Sequence, residues 1–263
     1  MNFDDPRLLA GKPLIGGFAG TFTIVSVTDH ASEMPENQTI WHYRQFAEFV
    51  TILQEKALWF SRLDRLRDPL EGRSGRKSRF HQGCDAHTRK GCVSCWTIDD
   101  EESELMWFAY APGYGVAIRS TKGRVAASFL PPDAGKIMIE SVEYGIDWSN
   151  GLPHVLTINH GYAFHKRRAF KWEHELRVFL PYEYDYDGDG HVVEPTYAGK
   201  SVLVELKTLM AEVWVAPYAP DWFRAAVKKE LETHGYGDVP VKRRAQDDLP
   251  ESLPLMTDRP PHP

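Results

Sequence analysis

The stretch AFKWEHELRVF, residues 169–179, alternates apolar and charged side chains without a break. A helix, repeating every 3.6 residues, scatters such a pattern around its surface, whereas a strand repeats every two. The spacing therefore predicts a strand with Trp172, His174, Leu176 and Val178 on one face and Glu173, Glu175 and Arg177 on the other. On a regular strand the two carboxylates would lie about 6.5 Å apart. Like charges so placed call for a neutralising partner such as Arg177, or for one raised carboxyl pKa. Such a strand borders a buried ionic network pairing Glu173 or Glu175 with Arg177 and Arg44, a catalytic face, or a plain solvated face.

The rest of the chain supplies a core for that strand. At 263 residues, 42% hydrophobic and 12% aromatic, the composition is that of a folded globular protein. Phe46, Phe49, Val50 and Leu53 recur at helical spacing, so residues 45–56 read as an amphipathic helix leading into a short strand at 57–60. GCVSCWTI, GYGVAIRS, KIMIESVEYG, SVLVELK, AEVWVAP and VPVKRR read as strands. ESELMWFAYA reads as a helix, and so does APDWFRAAVKKELETHG, with Asp221 as N-cap and Gly235 as its stop. The expected class is α+β, a single domain with a mixed, largely antiparallel sheet and flanking helices over residues 39–244. Residues 1–38, with the β-like TFTIVSVTDH, form an extension or added strand, and 245–263 a flexible tail rich in proline and acid.

No apolar run reaches the roughly 20 residues of a membrane span, and the acidic start does not resemble a secretion signal. With three cysteines, the chain is expected to be cytoplasmic, with no membrane partner. A net charge of −6 excludes a uniformly basic nucleic-acid binder but leaves room for a local patch. One lies at residues 61–82, where six arginines and one lysine face Asp64, Asp68 and Glu71. This Arg-rich segment, 62–79, is either a solvated loop or a surface for phosphate, nucleic acid or a protein acceptor. The two KRR triplets at 166–168 and 242–244 would extend it.

Three metal or nucleotide signatures are incomplete. His81, Cys84, His87, Cys92 and Cys95 fall within fifteen residues, but Cys92 and Cys95 on a strand face opposite sides and do not share one ion. DYDGDG at 185–190 begins like a calcium loop, yet its twelfth position is Thr196, so an acidic hairpin turn fits better. GYGVAI lacks the spacing of a dinucleotide fingerprint. No bound metal is expected.

The aromatic residues offer more. Trp41, Tyr43, Trp59, Trp107, Tyr110 and Tyr114 lie at the starts or ends of elements, with Met106 and Tyr110 on one helical face. Aromatic faces among polar groups suit a flat nucleotide-like ring as well as a core. Ser61, closing the LWFS strand, joins the candidate binding residues. Asp68, Glu71 and Lys171 form a further candidate group.

Four separated stretches, WHYRQF…LWFSRLDRLRDPLEG, VSCWTIDDEESELMWFAYAPGYGVAIRS, KRRAFKWEHELRVF and AEVWVAPYA, resemble in order the bacterial family called domain of unknown function 2971, over about residues 40–240. Asp68, Pro69 and Glu71 match its Asn-Asp-Pro-Phe-Glu segment, in which Arg67 replaces the Asn; His42 replaces the commoner Lys of its first motif. The order of elements is also similar to that of ADP-ribosyltransferase-like proteins. That resemblance implies NAD as cofactor, with His42 or Arg44 holding it, Tyr114 or Tyr110 at the nicotinamide, and Glu175 or Glu173 at the nicotinamide ribose. Tyr43, Ser61 and Trp107 would complete the cofactor site, with Arg177 beside the catalytic glutamates. The implied function is an NAD-using transferase or glycohydrolase, a toxin or antiphage effector acting on nucleic acid or protein. Two other classes fit the same residues: a metal-dependent nuclease using Asp68, Glu71, Glu173 and Glu175, and a non-catalytic nucleotide or nucleic-acid sensor.

Overall fold

The computed structural model describes residues 34–68, 71, 91–145, 160–181 and 196–244. Strand β1 (Thr39–Gln45) runs straight into helix α1 (Phe46–Glu55). The turn between them is fixed by the Gln45 amide donating to Glu48 Oε2 at 3.0 Å. This is one half of a capping box. Lys56, left-handed at φ 50, ends α1 and starts β2 (Ala57–Arg62). Then follow β3 (Gly91–Ile98), α2 (Glu104–Tyr110), β4 (Gly115–Thr121) and α3 (Lys122–Ser128). The N-termini of α2 and α3 are capped by the hydroxyls of Ser103 and Thr121.

The second half of the chain supplies β5 (Met138–Ser141), β6 (Glu143–Tyr144), β7 (His165–Lys166), β8 (Glu175–Pro181) and β9 (Gly199–Leu203). Helix α4 (Leu206–Leu209), β10 (Glu212–Val215), α5 (Asp221–Thr233) and β11 (Val241–Lys242) complete it. The fold is α+β, a mixed and mostly antiparallel sheet of nine strands with helices packed around it. Among the described residues, only the β10–β11 pair in that sheet is parallel, and β6 and β7 form a separate parallel pair. Among the described residues, no helix is long and apolar enough to cross a membrane.

The position of β3 decides the shape of the sheet. Along one edge it pairs with β8 from Gly91↔Pro181 to Thr97↔Glu175. Its other edge is shared: β1 takes Thr97 and Ile98, and β2 takes Cys92 and Val93. Both neighbours are antiparallel to β3 and diverge, so among the described residues no strand pairs with Ser94, Cys95 and Trp96 on that edge. The sheet is split there.

Alternation on β8 begins later than the sequence implies. Residues Arg168–Glu173 form a 3-10 helix, and His174, left-handed at φ 42, turns the chain into the strand at Glu175. Trp172 and His174 are exposed and belong to no strand face. From Glu175 onward the expected alternation holds, with Leu176, Val178 and Leu180 in the main apolar cluster and Phe179 in a second cluster with Val93 and Tyr162. Glu175 and Arg177 share the Phe179 side, and both are buried. The charged face is thus closed over, unlike the wetted face of an ordinary half-buried strand.

Elsewhere the pattern reads well. Phe49, Ile52 and Leu53 are the buried stripe of α1, and Phe223, Val227 and Leu231 that of α5. Gly235, at φ 84, stops α5 as its sequence implies. Asp221 is not the N-cap: Pro220 holds that place, and Asp221 is the first helical residue, paired with Arg243 at 2.9 Å. Cys92 lies in the main cluster and Cys95 against the second, on opposite faces of β3 as expected. TFTIVSVTDH, the loop carrying His81, Cys84 and His87, DYDGDG and the tail from Ala245 lie outside the described residues.

Candidate active site

The split in the sheet opens onto a cavity of about 160 Å³. Trp41 and Tyr43 of β1 stand on one side of it and Ser61 of β2 on the other, with Cys95 and Thr97 of β3 also on its wall. Met106 and Tyr110 come from α2, one helical turn apart, as their shared face predicts. The charged end carries Asp68, Glu71, Lys166, Glu173 and Glu175. One end is aromatic and the other ionic.

The ionic end is a closed network. Lys166 Nζ donates to Glu173 Oε2 at 2.5 Å and to Glu175 Oε2 at 3.0 Å, and lies 3.5 Å from Glu71 Oε1. Arg177 donates through Nε to Glu175 Oε1 at 2.9 Å, through Nη2 to Glu175 and Glu71, and through Nη1 to the Ala163 carbonyl at 2.6 Å. Tyr110 donates its hydroxyl to Glu173 Oε1 at 2.5 Å. Three carboxylates therefore meet two cations, and all five groups are buried. The formal balance is negative, and away from water that imbalance is felt strongly.

The two glutamates respond to it in opposite ways. Burial raises the pKa of Glu173 above the usual carboxylate range, against the opposing pull of Lys166. Burial pushes Glu175 the same way, but the charges of Arg177 and Lys166 and the hydrogen bonds from Arg177 outweigh it and hold the group at about 2. Glu175 is a fixed anion. Glu173 holds its proton more readily than an ordinary carboxyl. Environments that drive two neighbouring carboxyls apart in this way mark acid–base sites.

Asp68 is placed by a different partner. Arg167 grips it with two hydrogen bonds, Nε to Oδ2 at 2.9 Å and Nη2 to Oδ1 at 2.8 Å. The Asp68 carbonyl then accepts from the Glu71 amide at 3.1 Å, which carries Glu71 towards Arg177. The Asp-x-x-Glu spacing thus delivers one carboxylate to the latch and the other to the network.

Arg44 stands apart from all these pairs. It lines the cavity, yet among the described residues it forms no ion pair, and its one hydrogen bond runs to the neighbouring Tyr43 carbonyl at 3.3 Å. Burial lowers its pKa, partly offset by the charge of Glu48. A desolvated guanidinium without a carboxylate is suited to an anionic ligand group such as phosphate.

Several expectations need correction. His42 does not face the cavity: it is buried, stacked on Trp96 with ring centroids 4.5 Å apart, and bonds through Nδ1 to the Cys95 carbonyl at 2.9 Å. It supplies the split edge of β3 with the hydrogen bond that a strand would otherwise give. Burial drives its pKa down, so the ring is neutral, with Nδ1 donating and Nε2 without a hydrogen-bond partner among the described residues. Tyr114 is half exposed, stacks on Phe223 of α5 and is not part of the cavity lining. Trp107 packs edge-on against Tyr43 and donates to Glu102; it supports the wall without reaching the cavity.

Arg177 is fully buried and does not line the cavity either, so its bonds to Glu175 and Glu71 hold those carboxylates from behind the cavity wall. Lys171 is exposed, and its carbonyl accepts from the His174 amide. Tyr43 lines the cavity, but its hydroxyl already accepts from the Ser103 amide at 2.8 Å. In the Arg-rich segment, Arg62 is buried and pairs with Asp64, so it is no part of an outward phosphate surface; Arg65 and Arg67 are exposed, and positions 72–79 lie outside the described residues.

Lys166 is the residue sequence reasoning missed. Its position in KRR suggested a surface cation, and only the apolar AFH before it hinted at burial. Its ammonium sits where three carboxylates converge, the place a divalent cation would take in the nuclease expectation. Compared with known proteins, the chain matches no protein-family model and no curated protein.

Proposed function

We propose that the chain is an NAD-using enzyme of the ADP-ribosyltransferase-like kind, a transferase or glycohydrolase acting in the cytoplasm. The observation that carries this reading is the meeting of Arg44, Tyr110 and Glu173 in one cavity, from three separated stretches of sequence. They follow the order that the resemblance implies for the residue that holds NAD, the one at the nicotinamide and the one at the ribose. Trp41, Tyr43 and Phe170 add flat faces for a ring.

The chemistry suits this lining. Breaking the C1′–N bond of NAD sends the electron pair to the pyridinium nitrogen, so nicotinamide leaves neutral and positive charge develops on the ribose. The net negative network of Glu71, Glu173 and Glu175 stabilises that charge, in the way paired carboxylates support glycoside cleavage. Glu173 then accepts the proton of the attacking water or acceptor hydroxyl, a task favoured by its raised pKa. Glu175, neutralised by Arg177 and Lys166, holds the network in place.

Incubation of the pure protein with NAD, alone and with RNA, DNA or protein extracts, tests the reading through nicotinamide release. Release that Glu173→Gln lowers by about 100-fold or more supports it. A folded protein that releases none with any extract overturns it.

A further inference from the structure

A second groove, of about 420 Å³, lies beside α1 and meets the first cavity at Arg44 and Ser61, which line both. Its walls come from Glu48, Ile52 and Glu55 of α1 and from Trp59 of β2. Trp59 is a large aromatic left 48% exposed. Its indole N–H donates to Ser61 Oγ at 3.1 Å, which fixes the ring at the point where groove and cavity join. Gly199 of β9 packs beneath it so closely that a Cβ there would fall 2.5 Å from the indole. On the facing side Ser201 Oγ donates to Glu55 Oε2 at 3.0 Å, holding that carboxylate in the groove.

We infer that the two cavities form one site for a dinucleotide, with the groove taking the remote nucleoside: a purine base stacked on Trp59, its ribose hydroxyls at Glu55, and the diphosphate at Arg44. Size supports the division. The first cavity falls below the roughly 300–1,000 Å³ of sites that enclose a drug-sized ligand, so it holds one end of a longer molecule. Charge supports the junction, because Arg44 forms no ion pair among the described residues and lines both chambers. Shape supports the remote end: an exposed, fixed indole is a stacking platform, and a carboxylate is a usual partner of ribose hydroxyls. The inference rests on the reading of the first cavity as the seat of the reactive ribose.

Calorimetric titration of the full chain with adenosine monophosphate, nicotinamide mononucleotide and NAD tests it, in the wild type, Trp59→Ala and Trp59→Phe. The expected result is adenosine monophosphate binding weakened about tenfold or more by Trp59→Ala and largely restored by Trp59→Phe, with nicotinamide mononucleotide binding unchanged. No adenosine monophosphate binding at millimolar concentration, equal binding by the wild type and Trp59→Ala, or an equal loss for both mononucleotides would overturn it. Trp59-dependent NAD binding without nicotinamide release sustains this inference while the catalytic reading fails. Nicotinamide release with an unchanged KM in Trp59→Ala does the reverse.

Discussion

Lys166 Nζ lies 2.5 Å from Glu173 Oε2, although the 3-10 helix Arg168–Glu173 separates the two residues along the chain. That helix folds the glutamate back over the lysine and brings its carboxylate beside Glu175 from a different backbone direction. The two glutamates therefore share a cation without sharing a strand, and their surroundings move their pKa values in opposite directions.

Separate substitutions will part those roles. Glu173→Gln keeps the shape and the acceptor for Lys166, so stability changes by about 1 kcal/mol or less while nicotinamide release falls about 100-fold or more. Glu175→Gln strips the fully buried Arg177 of its bidentate partner, and unfolding free energy falls by about 3 kcal/mol or more. Urea denaturation followed by circular dichroism, beside the nicotinamide assay, checks both.

Acid should act on the pair with opposed signs. Glu175 titrates at about 2 in the folded chain against an ordinary 4.5, so its contribution of about 3 kcal/mol is complete above pH 4.5 and is lost as pH falls towards 2. Glu173 is shifted upward, so its burial as an anion costs stability above its folded pKa, and that cost is relieved as pH falls towards 4.5. The contribution of the pair peaks near pH 4.5. Stability measured from pH 2 to 8 should lose its acid limb in Glu175→Gln and its falling limb above pH 4.5 in Glu173→Gln; unchanged profiles would refute the assignment.

Lys166→Met removes one of the two cations that face Glu71, Glu173 and Glu175. The expected outcome is a stability loss of about 3 kcal/mol or more at neutral pH, because three buried carboxylates are left with Arg177 alone. Lowering the pH should recover much of this loss, since protonating one glutamate restores the balance. A variant equally destabilised at pH 5 and pH 8 would count against a charge-balancing lysine.

His42→Ala tests whether that ring binds ligand or completes the sheet. Its loss leaves the Cys95 carbonyl without the imidazole donor, a cost of about 1–3 kcal/mol, with the KM for NAD unchanged. Thermal denaturation and steady-state kinetics decide between the two, because a ligand-binding histidine would raise KM with little change in melting temperature.

How much of this the sequence disclosed depended on which backbone carried each residue. Leu176, Val178 and Leu180 kept the period of two because they sit on a real strand, and Phe49, Ile52 and Leu53 kept the helical one. Trp172 and His174 continued the alternation by composition alone; a single left-handed residue, His174, ended its structural meaning. Glu173 and Glu175 were correctly paired in space for a wrong geometric reason. Their position in a cleft beside WHYR and DPLEG was legible, since Arg44, Asp68 and Glu71 all line the same cavity. Tyr114 and His42 were misread because local sequence does not say which side of a sheet edge a ring takes. Lys166 was hidden because three-dimensional charge balance has no signature in a run of basic residues.

The shared edge of β3 also has a consequence in time. As the chain emerges during synthesis, β1, α1, β2 and β3 are all available early, but the partner that fills the whole opposite edge of β3, strand β8, follows about 80 positions later. Closing a loop of that length is slow relative to hairpin formation. Glu175 and Arg177 arrive with β8, so the carboxylate network is assembled in the same late step that completes the sheet. A nascent chain stopped before residue 175 carries the aromatic wall of the cavity and Arg44 but neither of these ionic groups; under the proposed function, chemistry would be withheld until synthesis had passed that point.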